Sequence, residues 1–194
     1  MLKINVCKCE IEKYKLQRGI AMITDFDFTI LNAIQGVLRN PVLDKIMVFI
    51  TTLGNGGVLW IILSVLLLFS KKYRPLGIMI AIGLILDYVF GNLILKTFVA
   101  RERPFNFNEN ISLLISAPKD FSFPSGHTLA SFTTALIVYK VCKKWGIFLI
   151  VLASLIAFSR LYLYVHYPSD VVAGLLFALL FSWCAEKLYN LKKE

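Results

Sequence analysis

Two histidines, one of them four residues before an aspartate, are the side chains best suited to chemistry in this 194-residue chain. They are His127, in the segment 124–127 (PSGH), and His166, which precedes Asp170. A carboxylate four residues away can hold one imidazole nitrogen and leave the other free to attack. The pattern predicts that His166 is an oriented nucleophile or base, and that His127, from another helix, is a general acid for the leaving oxygen.

Three basic residues and one helix start complete a set that favours an anionic ligand. Lys96, Arg103 and Arg160 supply the cations, and arginine can bind a tetrahedral oxyanion through a bidentate fork. Ser125 and Gly126 open a helix whose free N–H groups and dipole attract an anion, and glycine lets the backbone approach it closely. The matching ligand is phosphate. No carboxylate cluster with metal-ligand spacing accompanies these residues, so we expect phosphoryl transfer without a metal or other cofactor.

The elements that position these groups are predicted to be membrane helices. Apolar residues make up 58% of the chain, charged residues 17%, and the mean hydropathy is +0.71. Soluble domains are about 45–50% apolar and about 25% charged, so this composition excludes a soluble globule. It also excludes a disordered chain, a coiled coil and a disulfide-stapled secreted module.

Five apolar segments are long enough, with their flanks, to cross a hydrocarbon core of about 30 Å as helices. A further helix is predicted between Pro41 and Leu53, before a glycine-rich break. The chain has six spans if this helix crosses the bilayer and five if it does not. The predicted spans lie at about 46–70, 75–97, 126–142, 146–164 and 168–188.

The predicted fold class is an all-α, polytopic membrane helix bundle. Residues 1–24 are predicted to form a basic tail, and residues 25–194 a single membrane-embedded domain with its catalytic loop at 98–125. Apolar residues recur at near-helical spacing in 25–39, which predicts an N-terminal amphipathic helix at the membrane interface.

The net charge of +9 comes from basic residues whose positions relative to the predicted spans indicate their roles. Three basic clusters fall on one side of the predicted spans, which the positive-inside rule makes cytoplasmic. The two histidines then face the extracytoplasmic side of the cell membrane. Topology and contact with the lipid bilayer explain most of the surplus charge, so nucleic acid is not needed as a partner. The clusters are Lys71, Lys72 and Arg74; Lys140, Lys143 and Lys144; and Lys187, Lys192 and Lys193.

The candidate site resembles the three-part signature of the type 2 phosphatidic acid phosphatase superfamily. Every defining position is present in order and spacing, over the segments 96–104 (K-x6-RP), 124–127 (PSGH) and 159–170 (SR-x5-H-x3-D). The resemblance implies an all-helical, metal-independent enzyme. It implies that His166 forms a phosphohistidine, that Asp170 orients it, and that His127 protonates the leaving group and then activates water. It further implies that the phosphoryl oxygens are held by Lys96, Arg103, Ser125, Gly126 and Arg160.

The substrate is predicted to be a lipid phosphate or diphosphate, because the site lies at the membrane surface and is served from the bilayer. The chain is most similar to the bacterial branch that dephosphorylates undecaprenyl diphosphate and is linked to bacitracin resistance. That branch often has Asp at the position of Gly126, so phosphatidylglycerophosphate, phosphatidic acid and a lipid A phosphate stay open. A non-enzymatic alternative is an anionic-lipid transporter, which would give His166 no special duty. No required protein partner is evident from the sequence.

Three features outside the signature have no assigned role at this stage. Asp87 lies within a span, where an acid is either functional or hydrogen-bonded to a neighbouring helix. Arg101 is either functional or a charge at the rim of the site. The third feature is the loop between Pro104 and Pro124.

Overall fold

The computed structural model describes residues 24–108 and 110–191, and these ranges contain helices, turns and loops without a β-strand. The predicted tail, apart from residue 24, and the last two lysines of the basic clusters lie outside the described residues. The helices are α1 (24–38), α2 (Pro41–Leu53), α3 (Val58–Phe69), α4 (Arg74–Leu86), α5 (Lys96–Val99), α6 (Gly126–Val141), α7 (Lys143–Tyr162) and α8 (Pro168–Leu191).

Four helical stretches among the described residues are long and apolar enough to cross a membrane. They are Pro41–Phe69, which joins α2 and α3, Arg74–Phe107, α7 and α8. Large apolar side chains cover their outer surfaces, as expected for contact with lipid. The prediction of an all-α membrane bundle is confirmed.

Helix α6 lies at the centre of the bundle and packs against α4, α7 and α8. It has 16 residues, and its buried positions are rich in small and hydroxyl-bearing side chains. Ser131 Oγ accepts a hydrogen bond from Trp60 Nε1 at 3.0 Å, and Thr133 Oγ1 donates to Asp87 Oδ1 at 2.9 Å. Small residues let the helices approach closely, and these bonds join α6 to its neighbours in an apolar surrounding. For Asp87, the structure shows the hydrogen bond to a neighbouring helix, one of the two alternatives, and Asp87 also lines the cavity.

The glycine-rich break after α2 is a short turn, Asn55–Gly57, that redirects the chain into α3. Gly56 and Gly57 have φ values of 59° and 66°, in the left-handed region that favours glycine. A Cβ atom on Gly54 would lie 2.6 Å from Cδ2 of His127. The break thus brings the α2–α3 connection directly against a predicted catalytic residue.

Between α4 and α5 the chain makes wide helical turns, a π-helix, over Asp87–Leu95. Such turns are rare and occur frequently at functional sites. They carry Asn92 and Lys96 towards the same space that the α2–α3 break and the start of α6 surround. We call this the cavity end of the bundle.

Helix α1 is amphipathic, as predicted, and its buried face packs on the cavity end. Leu31 is fully buried with Tyr164 and Tyr167, and Phe28 meets the Tyr167 ring edge-on at 5.4 Å between centroids. The other face exposes the polar residues Asp25, Thr29 and Asn32. The helix is thus attached to the segment that carries His166.

Candidate active site

A cavity of about 1120 Å³ opens at the cavity end of the bundle. Its polar wall contains most of the residues singled out from the sequence. Ser125 and Asp170 are fully buried and do not line it. The predicted site residues that line the cavity are Lys96, Arg103, Gly126, His127, Arg160 and His166.

His166 is held at both ring nitrogens. Its Nδ1 lies 3.4 Å from Asp170 Oδ2, which also accepts a hydrogen bond from the Tyr167 backbone N–H at 3.0 Å. Its Nε2 lies 3.2 Å from Nη1 of Arg103, on the cavity side. The ring is therefore oriented with one nitrogen on a carboxylate and the other towards the cavity, as the spacing predicts.

His166 is surrounded by positive charge as well as buried. Burial lowers the pKa of His166, and the charges of Arg103 and Arg160 lower it further. Lys96 acts in the same direction and Asp120 against it, and the net result is a pKa well below the ordinary value. A neutral imidazole with a lone pair on Nε2 is the form that can attack phosphorus.

Three cations converge on the cavity, and all three are buried. Nη1 of Arg103 donates to the Val165 carbonyl at 2.6 Å, which fixes the guanidinium beside His166. Nη1 of Arg160 donates to Thr51 Oγ1 at 2.6 Å, while its Nε is buried without a hydrogen-bond partner in the structure. A buried cation with an unused donor, as at Arg160, favours an anionic ligand, because its charge and its N–H group are otherwise uncompensated.

Asp120, which sequence reasoning missed, occupies two of these cations. Its carboxylate pairs with Lys96 through Oδ2 and accepts from Nη2 of Arg103 through Oδ1 at 2.6 Å. Burial alone would raise the pKa of Asp120, but the hydrogen bond and charge of Lys96, then those of Arg103, hold it well below its ordinary value. The only sequence signal was an acid in the loop before the PSGH segment.

The start of α6 is held by its cap. Ser125 Oγ accepts a hydrogen bond from Thr128 Oγ1 at 3.0 Å, and the Ser125 N–H donates to the Asp170 carbonyl at 3.2 Å. A Cβ on Gly126 would lie 3.0 Å from Oδ1 of Asn92, so this position is closely approached. The serine hydroxyl is thus used in the helix cap, and its contact with phosphate stays a prediction.

His127 points from the first turn of α6 towards the α2–α3 break. Its Nε2 lies 2.9 Å from Oδ1 of Asn55, which occupies that break. Asn55 and Thr51 were not predicted as site residues. The glycines around Asn55 marked a turn, but its distance along the chain from the PSGH segment concealed the contact.

Among the described residues, no group of three or more His, Cys, Asp and Glu side chains is arranged to hold a metal ion. Catalysis without a metal stays a prediction.

Comparison with known proteins establishes the family. The model of the PAP2 superfamily matches residues 72–193. The chain belongs to the PAP2 superfamily. The resemblance inferred from the signature is confirmed, since the match contains every segment of it.

Two relatives are both undecaprenyl-diphosphatases. The enzyme of Sulfolobus acidocaldarius is 40% identical over 133 residues, which are 68% of this chain and 64% of the relative. The protein of Bacillus subtilis called undecaprenyl-diphosphatase BcrC is 32% identical over 160 residues, 79% of each chain. The chain thus spans just under two thirds of the length of the first relative.

A solved structure has the same architecture. It is the transmembrane PAP2-type phosphatidylglycerolphosphate phosphatase of Bacillus subtilis, with a TM-score of 0.71 and 27% identity over 86% of each chain. The likeness agrees with a multi-pass membrane fold for this chain.

Proposed function

We propose that this protein is a metal-independent membrane lipid phosphatase that converts undecaprenyl diphosphate to undecaprenyl phosphate. One observation carries the proposal: the His166 ring is held by Asp170 at Nδ1 and turns Nε2 towards a cavity lined by three buried cations. A nucleophile beside a set of buried cations is the arrangement that phosphoryl transfer requires.

In the first proposed step, the terminal phosphoryl group binds against Lys96, Arg103 and Arg160. Nε2 of His166 attacks phosphorus, the P–N bond forms, and the bond from phosphorus to the bridging oxygen breaks. His127 donates a proton to that leaving oxygen, which departs on the lipid monophosphate.

In the second step, His127 accepts a proton from a water molecule, and the water oxygen attacks the phosphohistidine. The P–N bond breaks, His166 returns to its neutral form, and inorganic phosphate leaves the cations. The stable position of His166 beside Asp170 suits both steps, because the same nitrogen attacks and departs.

The choice of a polyprenyl diphosphate is supported by the cavity and by the relatives. The apolar residues Ile61, Leu84 and Leu93 also line the cavity, so a hydrocarbon chain next to the phosphate has apolar side chains to contact. The relatives from Sulfolobus acidocaldarius and Bacillus subtilis are named for this substrate.

A second candidate substrate is phosphatidylglycerophosphate. It is favoured by the structural likeness to the Bacillus subtilis phosphatase, which extends over 86% of both chains. Both candidates use the same cations and the same nucleophile, so they differ in the lipid rather than in the chemistry.

The proposal is tested with purified protein in detergent containing EDTA. Phosphate release is measured with undecaprenyl diphosphate, phosphatidylglycerophosphate, phosphatidic acid and a lipid A phosphate. We expect the fastest turnover with undecaprenyl diphosphate, and acid-labile labelling of the protein when the terminal phosphate is radioactive. His166→Ala should abolish both; persistent release by this variant would overturn the mechanism, and binding without release by the wild type would favour a transporter.

A further inference from the structure

Asp170 uses its second carboxylate oxygen outside the cavity. Oδ2 faces His166 and the Tyr167 N–H, whereas Oδ1 accepts a hydrogen bond from Nη1 of Arg101 at 2.7 Å. Asp170 is completely buried, so each of its contacts restricts the direction in which the carboxylate faces. The orientation of His166 therefore depends on what holds the far side of Asp170.

Arg101 is itself fixed on several sides. Its Nη2 donates to Asp27 Oδ2 at 2.8 Å, and its Nη1 also donates to Ser169 Oγ at 2.7 Å. The guanidinium carbon lies 3.8 Å from the centroid of the Tyr167 ring, the geometry of a cation–π contact. With 21% of its side chain exposed, Arg101 is a bridge within the protein rather than a charge at its rim.

Asp27 belongs to helix α1 and completes the bridge. It is almost fully buried, and besides Arg101 it accepts hydrogen bonds from the backbone N–H of Ser169, at 2.9 Å, and from the Ser169 hydroxyl. Ser169 lies in the first turn of α8, next to Asp170. The interfacial helix is thus attached to the turn that carries the nucleophile's partner.

The bridge requires an arginine. Two buried carboxylates, Asp27 and Asp170, share one guanidinium, whose two terminal nitrogens reach one carboxylate each. A lysine ammonium keeps the charge but lacks the planar fork that spans both. Loss of the charge would leave two buried carboxylates without their shared partner, which is strongly unfavourable.

We infer that Arg101 is a positioning residue for the phosphatase reaction: held by Asp27, it orients Asp170 and, through Asp170, the attacking nitrogen of His166. This inference rests on the proposed function. Arg101 does not line the cavity, so the cations that bind phosphate are untouched by its loss. The effect must then fall on the rate of attack and not on substrate binding.

The first experiment compares Arg101→Gln, Arg101→Lys and Asp27→Asn with the wild type. We expect Arg101→Gln to lower kcat about 100-fold while KM changes less than about threefold, because a displaced nucleophile loses rate at that scale. Arg101→Lys should have a kcat about tenfold higher than that of Arg101→Gln, because lysine keeps the positive charge. Asp27→Asn, which keeps Asp170 and Arg101 intact, should lower kcat about tenfold.

The matched control is Arg39→Gln. Arg39 also donates to side-chain and backbone acceptors, Gln35 and the Ser112 carbonyl, but does not line the cavity or contact the catalytic residues. We expect its kcat within about twofold of the wild-type value, since exposed polar contacts contribute little.

A second measurement separates positioning from folding. Vanadate, which resembles the pentacovalent transition state, is titrated to count competent binding sites in each variant. We expect Arg101→Gln to keep the wild-type number of sites, with slowed formation of phosphohistidine in a single turnover. Two outcomes for Arg101→Gln would overturn this inference but not the proposed function: an unchanged kcat, or a fall in kcat that equals the fall in the number of vanadate-binding sites. A wild type that releases no phosphate from any lipid would overturn the proposed function and this inference with it.

Discussion

At the scale of single residues, the protonation of His166 decides at which pH the proposed reaction can begin. The ring is buried, and Nη1 of Arg103 lies 3.2 Å from Nε2, so a proton on that nitrogen would face a positive charge. Burial and the neighbouring cations lower the pKa of His166, and a lowered pKa means that the neutral form persists as the pH falls. His166 therefore keeps the neutral form that can attack phosphorus well into the acidic pH range.

The rate of phosphohistidine formation should accordingly follow a bell-shaped pH profile whose acid limb lies well below about pH 6.5, the ordinary histidine value. The basic limb reports loss of the proton that His127 donates. His127 must gain this proton with the charge of the bound phosphate, because burial and then Arg160 lower the pKa of His127. Single-turnover labelling from pH 4 to 9 measures both limbs. Arg103→Gln should move the acid limb to higher pH, and Arg39→Gln should leave it in place; an acid limb at pH 6.5 or above in the wild type would contradict this account.

The Asp120 carboxylate forms ion pairs with Lys96 and Arg103, so a phosphate group that binds these two cations must displace it. Its side chain is 53% exposed, and ion pairs of such residues contribute at most about 1 kcal/mol. Asp120→Asn should therefore tighten vanadate binding by up to about fivefold. The lowered pKa of Asp120 keeps the carboxylate charged at assay pH, so the effect should persist from pH 5 to 8. Weaker vanadate binding in Asp120→Asn would mean that the carboxylate supports the cations instead.

At the scale of elements, the α2–α3 break positions the proposed general acid. A Cβ on Gly54 would meet His127 Cδ2 at 2.6 Å and Ile156 Cγ2 at 2.9 Å, both closer than real Cβ contacts allow. Gly54→Ala should displace the His127 ring and lower kcat about 100-fold, since misplacement of about 1 Å has that effect.

The matched control for Gly54→Ala is Gly36→Ala on α1, where a Cβ would have no neighbour within 4 Å. We expect wild-type kcat and unchanged or slightly raised thermal stability, because alanine is the better helix former. Equal activity of the two alanine variants would show that the break does not constrain His127.

The elements differ in how far the sequence predicted them. Helix α6 runs over Gly126–Val141 against a prediction of 126–142, because Ser125 is a good helix cap and charged residues follow the apolar run. The π-helical turns of Asp87–Leu95 were not predicted, because Gly91 and Asn92 within an apolar run do not distinguish wide helical turns from an ordinary α-helix. These turns pack against α6, where a Cβ on Gly91 would lie closer to Cδ2 of Leu129 than real Cβ contacts allow, and they carry Asn92.

The residues of the candidate site also differ in how far the sequence predicted them. His166 and Asp170 were predictable because they lie only four residues apart, on either side of the start of α8. The pairs Arg101 with Asp27 and His127 with Asn55 join residues 74 and 72 positions apart, so no local pattern could reveal them. Asp120 lies in an irregular loop, where neither period nor capping indicates which side chain it meets.

At the scale of the whole molecule, the basic clusters and the cavity occupy opposite ends of the bundle. Lys71 and Lys72 lie in the turn between α3 and α4, and Lys140 at the end of α6 pairs with Glu186 of α8 at 2.8 Å. The positive-inside rule therefore favours a cytoplasmic basic end and an extracytoplasmic cavity.

Labelling of single cysteines tests this orientation. In a variant whose four native cysteines are replaced by serine, Ser116→Cys in the loop over the cavity should react with a membrane-impermeant maleimide in intact bacterial cells. Tyr73→Cys, at the basic end, should react only after the membrane is permeabilised. The reverse pattern would place the cavity in the cytoplasm.

The central position of α6 has a consequence for how the protein enters the membrane. Sixteen residues span about 24 Å, less than a hydrocarbon core of about 30 Å. Two of its buried hydroxyl groups, those of Thr133 and Ser131, find their partners on other helices, at Asp87 and Trp60. A nascent chain that stops after α6 should therefore insert it poorly, and insertion should become efficient only once α7 and α8 have been made. The helix that carries His127 is thus held in the bilayer by its neighbours, and the catalytic centre forms in the same event that completes the bundle.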